Sequence, residues 1–194
     1  MIESMDDASD HLDASAELLV HVGRRAVSDA RSAGLTPVQW SALHYFARAN
    51  RFSRTASAFA SFQATTRGTA SQTVKSLLVR GYLERHAVSE DRRSARFEPT
   101  RAGLELLEHD PFFAMKRALA GLTGDQRSAL RGALTSIMEE MSRSDGGVSF
   151  GTCQACVHLA EEPDGNCHFC LRESAPLDPD ELDSLCVHFE PRGA

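Results

Sequence analysis

Apolar residues recur at three- and four-residue intervals through most of the chain, a pattern typical of amphipathic helices. The first predicted helix spans 10–33 and ends at Gly34, a residue that suits a helix C-terminus. A second helix is predicted to begin at Pro37, with Thr36 as its cap, and to run to about Asn50. The apolar face of this second helix carries Trp40, Leu43 and Ala47.

Two shorter helices are predicted to follow. Ser53 is the expected cap of the third, and the fourth begins after Thr65 and Thr66 and stops at Gly81. The apolar face of the fourth helix consists of Ala70, Val74, Leu77 and Leu78, whereas its polar face consists of Arg67, Gly68, Ser71, Gln72 and Lys75. Side chains of this kind can contact base edges and phosphates in a major groove, although an ordinary solvated face would have the same composition.

The segment after the fourth helix changes the balance between these two interpretations. Tyr82–Val88 and Ala95–Thr100 predict two short strands joined by the polar sequence SEDRRS. A hairpin with Arg92 and Arg93 at its tip, directly after a helix with a polar face, predicts a winged helix-turn-helix. In that arrangement the two arginines can enter the minor groove beside the helix.

The distribution of charge supports contact with nucleic acid. The chain of 194 residues has a formal net charge of -6, but this charge is unevenly distributed. Residues 48–101 hold eleven Lys and Arg against four acids, a net charge of +7. Residues 145–194 hold two basic residues against ten acids, a net charge of -8. A basic centre with an acidic tail is typical of a DNA-binding head followed by a segment that does not bind DNA.

Specific motifs then indicate a family. The sequence GLTPVQWSALHYF and the later stretch TRGTASQTVKSLLVRGYLERHAVSEDRRSARFEPTRAGLELL resemble the MarR family of winged helix-turn-helix transcription regulators, over about Leu35 to Leu107. The most specific signature is the D-R-R-S wing followed by T-x-x-G at Thr100–Gly103. The resemblance implies DNA-contacting roles for Arg67, Thr69, Ser71, Gln72, Lys75, Asp91, Arg92 and Arg93. Phe59 and Phe62 depart from the leucine-rich pattern usual in the third helix.

The resemblance also implies a homodimer formed by terminal helices. Asp110-Pro111 can start one helix, and Thr123 with Gln126 forms a capping box for another. That last helix carries an apolar stripe of Leu130, Leu134, Ile137, Met138 and Met141, which suits a two-fold dimer on a pseudo-palindromic double-stranded site. Family members commonly bind small effectors near the head, where Trp40, His44, Tyr45 and Phe46 are candidates, but a core role for these four is the preferred interpretation.

All five cysteines lie in the last quarter of the chain, in the order C-x2-C-x10-C-x2-C followed by one more. We therefore predict a head and dimerisation domain over residues 1–144, a linker over 145–151 in the stretch SRSDGGVSFG, and a cysteine module over 152–194. The N-terminus lacks the pattern of a secretion signal and no window predicts a membrane span, so we expect a cytoplasmic protein. Reduced thiols in that compartment favour metal binding over disulfides.

The choice of metal ligands stays open between two sets. Spacing alone favours Cys153, Cys156, Cys167 and Cys170, as in a zinc ribbon or knuckle. The tail also resembles C-terminal extensions of some MarR-family regulators, in which a C-x2-C pair is followed by H-x-C, a P-L dipeptide and a cysteine before a terminal proline. That resemblance favours Cys153, Cys156, Cys170 and Cys186, with Cys167 as the alternate and with His158, His168 and His188 as neighbouring candidates.

Zinc is the predicted metal, because a segment of about 44 residues with little core needs a structural metal to fold. The alternative is an iron–sulfur cluster, which would make the chain a redox-sensing regulator. No glycine-rich phosphate loop, metalloprotease helix or redox βαβ pattern supports an enzyme. The predicted function is a dimeric DNA-binding repressor, and the alternative from another class is a metal-stabilised protein-interaction adaptor.

Overall fold

The computed structural model describes residues 3–26, 34–87, 95–108, 112–145, 150–161 and 168–192. The helices are α1 (Glu3–Ala26), α2 (Pro37–Arg48), α3 (Ala56–Phe62), α4 (Arg67–Val79), α5 (Arg101–Glu108), α6 (Phe112–Ala120) and α7 (Gly124–Asp145). The strands are β1 (Leu83–Ala87), β2 (Ala95–Pro99), β3 (Gly151–Thr152), β4 (Leu159–Glu161), β5 (His168–Cys170), β6 (Ala175–Leu177) and β7 (Leu185–Cys186). Antiparallel β1 and β2 form the wing, which confirms the predicted mainly helical winged helix-turn-helix fold.

Local sequence explains where the helices of the head begin and end. Thr36 and Gln39 form a reciprocal capping box at the start of α2, and the Thr66 hydroxyl accepts a hydrogen bond from the Thr69 N–H at the start of α4. Gly81, just after α4, has a φ of 73° in the left-handed region, which costs glycine little. These boundaries agree with the sequence predictions.

The T-x-x-G signature has a steric explanation. The Thr100 hydroxyl donates to the Gly81 carbonyl and accepts from the Gly103 N–H, so it joins the end of α4 to the start of α5. A Cβ at Gly103 would collide with the Tyr82 carbonyl oxygen and crowd the Leu43 side chain. Only glycine therefore allows α5 to lie this close to the segment that leads into the wing.

Three predicted boundaries differ from the structure. Ser53 does not cap α3, because its hydroxyl accepts a hydrogen bond from the Val187 N–H, and Thr55 caps that helix instead. Helix α7 continues to Asp145, so the start of the predicted flexible stretch is helical. Helix α1 is described from Glu3 to Ala26, and residues 27–33 of the predicted first helix lie outside the described part.

The aromatic residues of α2 and α3 form the centre of the head. Trp40, Tyr45, Phe46 and Phe59 are fully buried, and the Tyr45 ring lies 5.3 Å from that of Phe46 and 5.5 Å from that of Phe59. This packing confirms the core interpretation for Trp40, Tyr45 and Phe46, whereas His44 is only partly buried. Burial of large aromatic side chains in edge-to-face and tilted contacts is a major source of stability in a small domain.

The C-terminal module is built from two small sheets, one pairing β3 with β7 and the other in the order β4-β5-β6. It interlocks with the head. Phe150, Leu185 and Val187 pack against the hydrophobic core of the head, while Phe52 of the head packs into the small apolar cluster of the module. The tail is therefore docked on the head. Among the described residues, no helix combines the length and apolar composition needed to cross a membrane.

Candidate nucleic-acid interface and cysteine cluster

Helix α4 separates buried from exposed positions as its sequence predicts. Ala70, Val74 and Leu77 are buried against the head core. The residues of α4 predicted to contact DNA are all exposed, namely Arg67, Thr69, Ser71, Gln72 and Lys75. One side of this helix thus fixes its position while the other presents hydrogen-bond donors and acceptors to solvent.

The wing lies beside this polar face. Ser71 and Lys75 of α4 line one groove together with Arg85 of β1 and Ala95 of β2. Helix and wing residues therefore lie side by side on the protein surface. This arrangement suits contact with the adjacent major and minor grooves of a DNA duplex. The tip residues Asp91, Arg92 and Arg93 lie outside the described part of the chain, so their predicted contacts stay predictions.

The structure brings four of the five cysteines to one place. Cys153, Cys156, Cys170 and Cys186 line a single cavity of about 10 Å³. His158 and His188 line the same cavity, whereas His168 lies on β5 opposite Leu177 and is not among the residues of its lining. Cys167 lies outside the described residues. Cys153, Cys156 and Cys170 belong to both predicted ligand sets, and Cys186 belongs to the set implied by the tail resemblance, so the choice between the sets stays a prediction.

Two of these sulfur atoms accept hydrogen bonds from nitrogen donors. The Asn50 side-chain amide donates to Cys153 Sγ at 3.6 Å, and the His188 backbone N–H donates to Cys186 Sγ at 3.3 Å. Asn50 and the two cysteines are buried. Donors aimed at buried sulfur stabilise the thiolate form, which is the form that binds metal ions.

The Cys153 and Cys186 thiols influence each other directly. A hydrogen bond from the Cys153 thiol lowers the pKa of Cys186 to about 5, with help from Asn50, the His188 N–H and the Ser53 hydroxyl, against the opposing effect of burial. The same bond, together with burial, raises the pKa of Cys153. Burial, together with the nearby Cys186 sulfur, raises the pKa of Tyr45.

The geometry of the cluster is not that of a closed metal site. Within the described ranges, no group of three or more His, Cys, Asp and Glu side chains is placed so that it could hold a metal ion. The donor chemistry nevertheless fits a thiophilic ion, because four cysteines line one cavity and backbone and side-chain N–H groups point at the sulfurs.

Sequence reasoning did not find the residues of the head that contact this cluster. Asn50 and Ser53 lie about 100 positions before the first cysteine, in the turn between α2 and α3. They are almost completely buried, at 1% and 0% exposure. A polar pair at the end of a predicted helix suggests a cap, and nothing local to the sequence indicates a partner so far along the chain.

A second, larger cavity lies between α7 and the module. Its volume is about 460 Å³. Its lining combines residues of α6 and α7, among them Leu119, Leu134 and Met138, with Phe150 and Phe189 of the module. Leu134 and Met138 belong to the apolar stripe of α7, whose members from Leu134 onwards remain 38% to 57% exposed in the single chain. This stripe is available to a further partner.

Comparison with known proteins gives a partial match within the head. Residues 33–94 match the model of the MarR family. This match covers the α2 to α4 segment and the first strand of the wing. No curated protein matches the chain.

Several solved structures share the fold. A Staphylococcus aureus MepR–DNA complex is 19% identical, with a TM-score of 0.55, and the match covers 66% of this chain and 96% of that one. A MarR transcriptional regulator from Methanosarcina mazei Go1 is 19% identical, with a TM-score of 0.56 and coverage of 69% and 98%. Staphylococcus aureus MarR in complex with salicylate and kanamycin is 18% identical, with a TM-score of 0.58 and coverage of 70% and 93%.

At these identities the structures demonstrate the fold alone, while the family model shows a sequence similarity over residues 33–94. The matched residues include the polar face of α4 and strand β1 of the wing, whereas β2 and Gly103 lie beyond them. Residues 33–94 therefore match the MarR family model, and the chain shares the winged helix-turn-helix fold of solved MarR-type proteins.

Proposed function

We propose that this chain is a homodimeric repressor that binds a pseudo-palindromic duplex, and that its C-terminal module holds zinc. The observation that carries the DNA-binding part is the exposed polar face of α4 beside the wing, with Ser71 and Lys75 in one groove with Arg85. A MepR relative of the same fold has been crystallised with DNA. In this proposal, Arg67, Thr69, Ser71, Gln72 and Lys75 contact the major groove, and Asp91, Arg92 and Arg93 contact the minor groove or its phosphates.

The dimer is proposed from the exposed apolar stripe of α7. Ile137, Met138 and Met141 are 42%, 57% and 55% exposed, which is unusual for three neighbouring large apolar residues on one helix. A second copy of the chain would bury this face and would bring two α4 helices to successive major grooves. Sedimentation should give a dimer for the wild-type chain and a monomer for Met138→Glu, while an exposed change on the opposite side, Ser128→Glu, should remain dimeric.

Zinc is proposed because four cysteines line one cavity and N–H donors point at two of them. Cys153, Cys156, Cys170 and Cys186 would hold the ion, with Cys167 as the alternate ligand. Zinc bound by four thiolates is a structural ion that adds folding free energy to a segment with a small core. An iron–sulfur cluster on the same thiolates is the alternative, and it would link DNA binding to redox state.

A small-molecule effector completes the proposal. It is supported by the apolar cavity of about 460 Å³ between α7 and the module. Staphylococcus aureus MarR, which has the same fold, has been solved with salicylate and kanamycin. An effector would bind one arrangement of the head and the terminal helices more tightly than another. The difference between its two binding free energies sets how far it can shift the affinity for DNA.

The two lysines of the chain provide a matched test of the DNA interface. Lys75 lies on the exposed face of α4, and Lys116 lies on α6. A labelled duplex is first selected from a randomised library with the wild-type chain, and its affinity is then measured by fluorescence anisotropy over a range of salt concentrations. Lys75→Ala should weaken binding and reduce the slope of log K against log salt by about 1, because one phosphate contact is lost.

Lys116→Ala removes the same charge away from the proposed interface, so it should keep the wild-type slope. Equal slopes for the two variants would contradict the assignment of α4 as the DNA-contacting helix. Failure of the selection to enrich any duplex would contradict DNA binding by this chain as purified. Circular dichroism before each titration verifies that both variants keep their helical content.

A further inference from the structure

The turn between α2 and α3 touches the cysteine module on one side and the wing on the other. This turn, residues 49–54, is called here the bridging turn. Its first residue, Ala49, forms a parallel bridge with Leu185 of β7, directly before Cys186. Its last residue, Arg54, contacts strand β2 of the wing. A single short segment thus lies between the cysteine cluster and a DNA-reading element.

The contacts with the module are buried and specific. The Asn50 N–H donates to the Leu185 carbonyl at 2.9 Å, and the Val187 N–H donates to the Ser53 hydroxyl at 2.9 Å, so both neighbours of Cys186 are fixed to the turn. The Asn50 side chain also donates to Cys153 Sγ. Any change in the distance between the Cys153 and Cys186 sulfur atoms must therefore move the turn or break one of these hydrogen bonds.

The contacts with the wing start from Arg54. Its carbonyl accepts a hydrogen bond from the Phe97 N–H at 2.8 Å, which ties the turn to the backbone of β2. Its guanidinium donates from Nε to the Ala49 carbonyl at 2.9 Å and from Nη1 to Glu98 Oε1 at 2.7 Å. Arg54 therefore closes the bridging turn on itself through Nε and joins it to the wing through Nη1 of the same planar group.

Arg51 and Tyr45 add further hydrogen bonds that hold the bridging turn in place. The guanidinium of Arg51 donates to Glu181 and to the Pro176 carbonyl, both of which belong to the module. The Tyr45 hydroxyl donates to the Ser53 carbonyl at 2.8 Å, so the turn is also held to the buried face of α2. Held on these sides, the turn has little freedom to absorb a movement of the cysteine cluster without passing it to the wing.

We infer that the bridging turn couples the metal state of the cysteine cluster to DNA affinity, with Arg54 as the positioning residue that passes the change to the wing. This inference rests on the proposed zinc site and on DNA binding by α4 and the wing. Zinc would fix the positions of Cys153 and Cys186, the turn would keep the arrangement described here, and β2 would hold the wing beside α4. Loss of zinc would free the turn and weaken DNA binding.

The test compares the DNA affinity of zinc-loaded and zinc-free protein in one pair of conservative variants. Arg54→Lys keeps the charge but cannot reach the Ala49 carbonyl and Glu98 together, because an ammonium lacks the planar fork of a guanidinium. Arg101→Lys is the matched control, since Arg101 pairs with Glu105 on the exposed face of α5, away from the bridging turn. The probe is the duplex selected with the wild-type chain, and zinc content is measured in every sample.

Wild-type protein and Arg101→Lys should each bind the duplex about tenfold more tightly with zinc than without it, a ratio typical of coupled sites. Arg54→Lys should retain zinc, yet its ratio should fall below about threefold if most of the coupling free energy is lost. A general loss of stability would weaken DNA binding by the zinc-loaded and the zinc-free protein alike. The ratio of their two affinities would then stay unchanged. Glu98→Gln, which removes the negative charge and so weakens the same contact from the partly exposed wing side, should repeat the result if Arg54→Lys does not fold.

A wild-type ratio near one, with zinc bound, would overturn the coupling and leave the proposed function intact. An unchanged ratio in both Arg54→Lys and Glu98→Gln would overturn the role of this path. A chain that retains no zinc at all would overturn the proposed zinc site and the inference together, and the metal measurement identifies that case separately.

Discussion

The side-chain amide of Asn50 donates a hydrogen bond to Cys153 Sγ across 3.6 Å, although the two residues are 103 positions apart. Asn50 is 1% exposed and lies in the turn between α2 and α3 of the head, whereas Cys153 lies near the start of the cysteine module. The contact means that the cysteine cluster is closed on one side by the head itself. A module of this size thus shares its interior with the fold it is attached to.

Replacement of Asn50 by alanine should destabilise the chain by about 1–3 kcal/mol, because a buried sulfur loses its donor and the Ser53 N–H loses one of its acceptors. Urea unfolding followed by circular dichroism measures the change. Gln154→Ala removes an amide from an exposed position in the module and should shift stability by less than about 0.5 kcal/mol. Equal effects of the two changes would show that the Asn50 contact adds nothing to stability.

Gly103→Ala should destabilise the head by about 1–3 kcal/mol, because the added methyl collides with the Tyr82 carbonyl at the base of the wing. Gly132 in α7 offers the control, since a Cβ built there meets no atom within 4 Å. Gly132→Ala should therefore raise stability, by up to about 1 kcal/mol, through helix propensity alone. The comparison is made by thermal unfolding, and a neutral Gly103→Ala would refute the steric explanation of the T-x-x-G motif.

The helix and wing pattern was predictable from the sequence because its determinants are local. The capping box of Thr36 and Gln39, the cap at Thr66 and the left-handed Gly81 all act within a few residues. The apolar and polar faces of α4 follow from helical periodicity alone. The match of residues 33–94 to a family model reflects the same local signals.

The docking of the module was not predictable, because its determinants are distant along the chain. Ser53 was expected to cap α3, and its true partner is the backbone of Val187, 134 positions later. Phe62 departs from the family pattern for a related reason. Its ring lies 5.2 Å from that of Phe150, at the start of the module, so this aromatic residue of α3 serves a contact with the module.

The Phe62–Phe150 pair gives a quantitative test of this docking. The two rings meet edge to face, at 83°, and such pairs contribute about 0.5–1.5 kcal/mol beyond burial. A double-mutant cycle with Phe62→Leu and Phe150→Leu should give a coupling energy in that range from urea unfolding. Strictly additive single effects would indicate that the module does not rest on α3 in solution.

The most direct test of the account is the metal content of the cysteine cluster. Protein purified without oxygen should contain about one zinc per chain and show no visible absorption, as a tetrahedral thiolate site requires. A Cys153→Ser and Cys186→Ser double variant should lose that zinc, whereas Ser128→Ala on α7 should keep it. Protein that contains no metal would contradict the proposal that the cluster is a metal site. Iron with acid-labile sulfide and a brown colour would contradict zinc and would make the cluster an iron–sulfur centre instead.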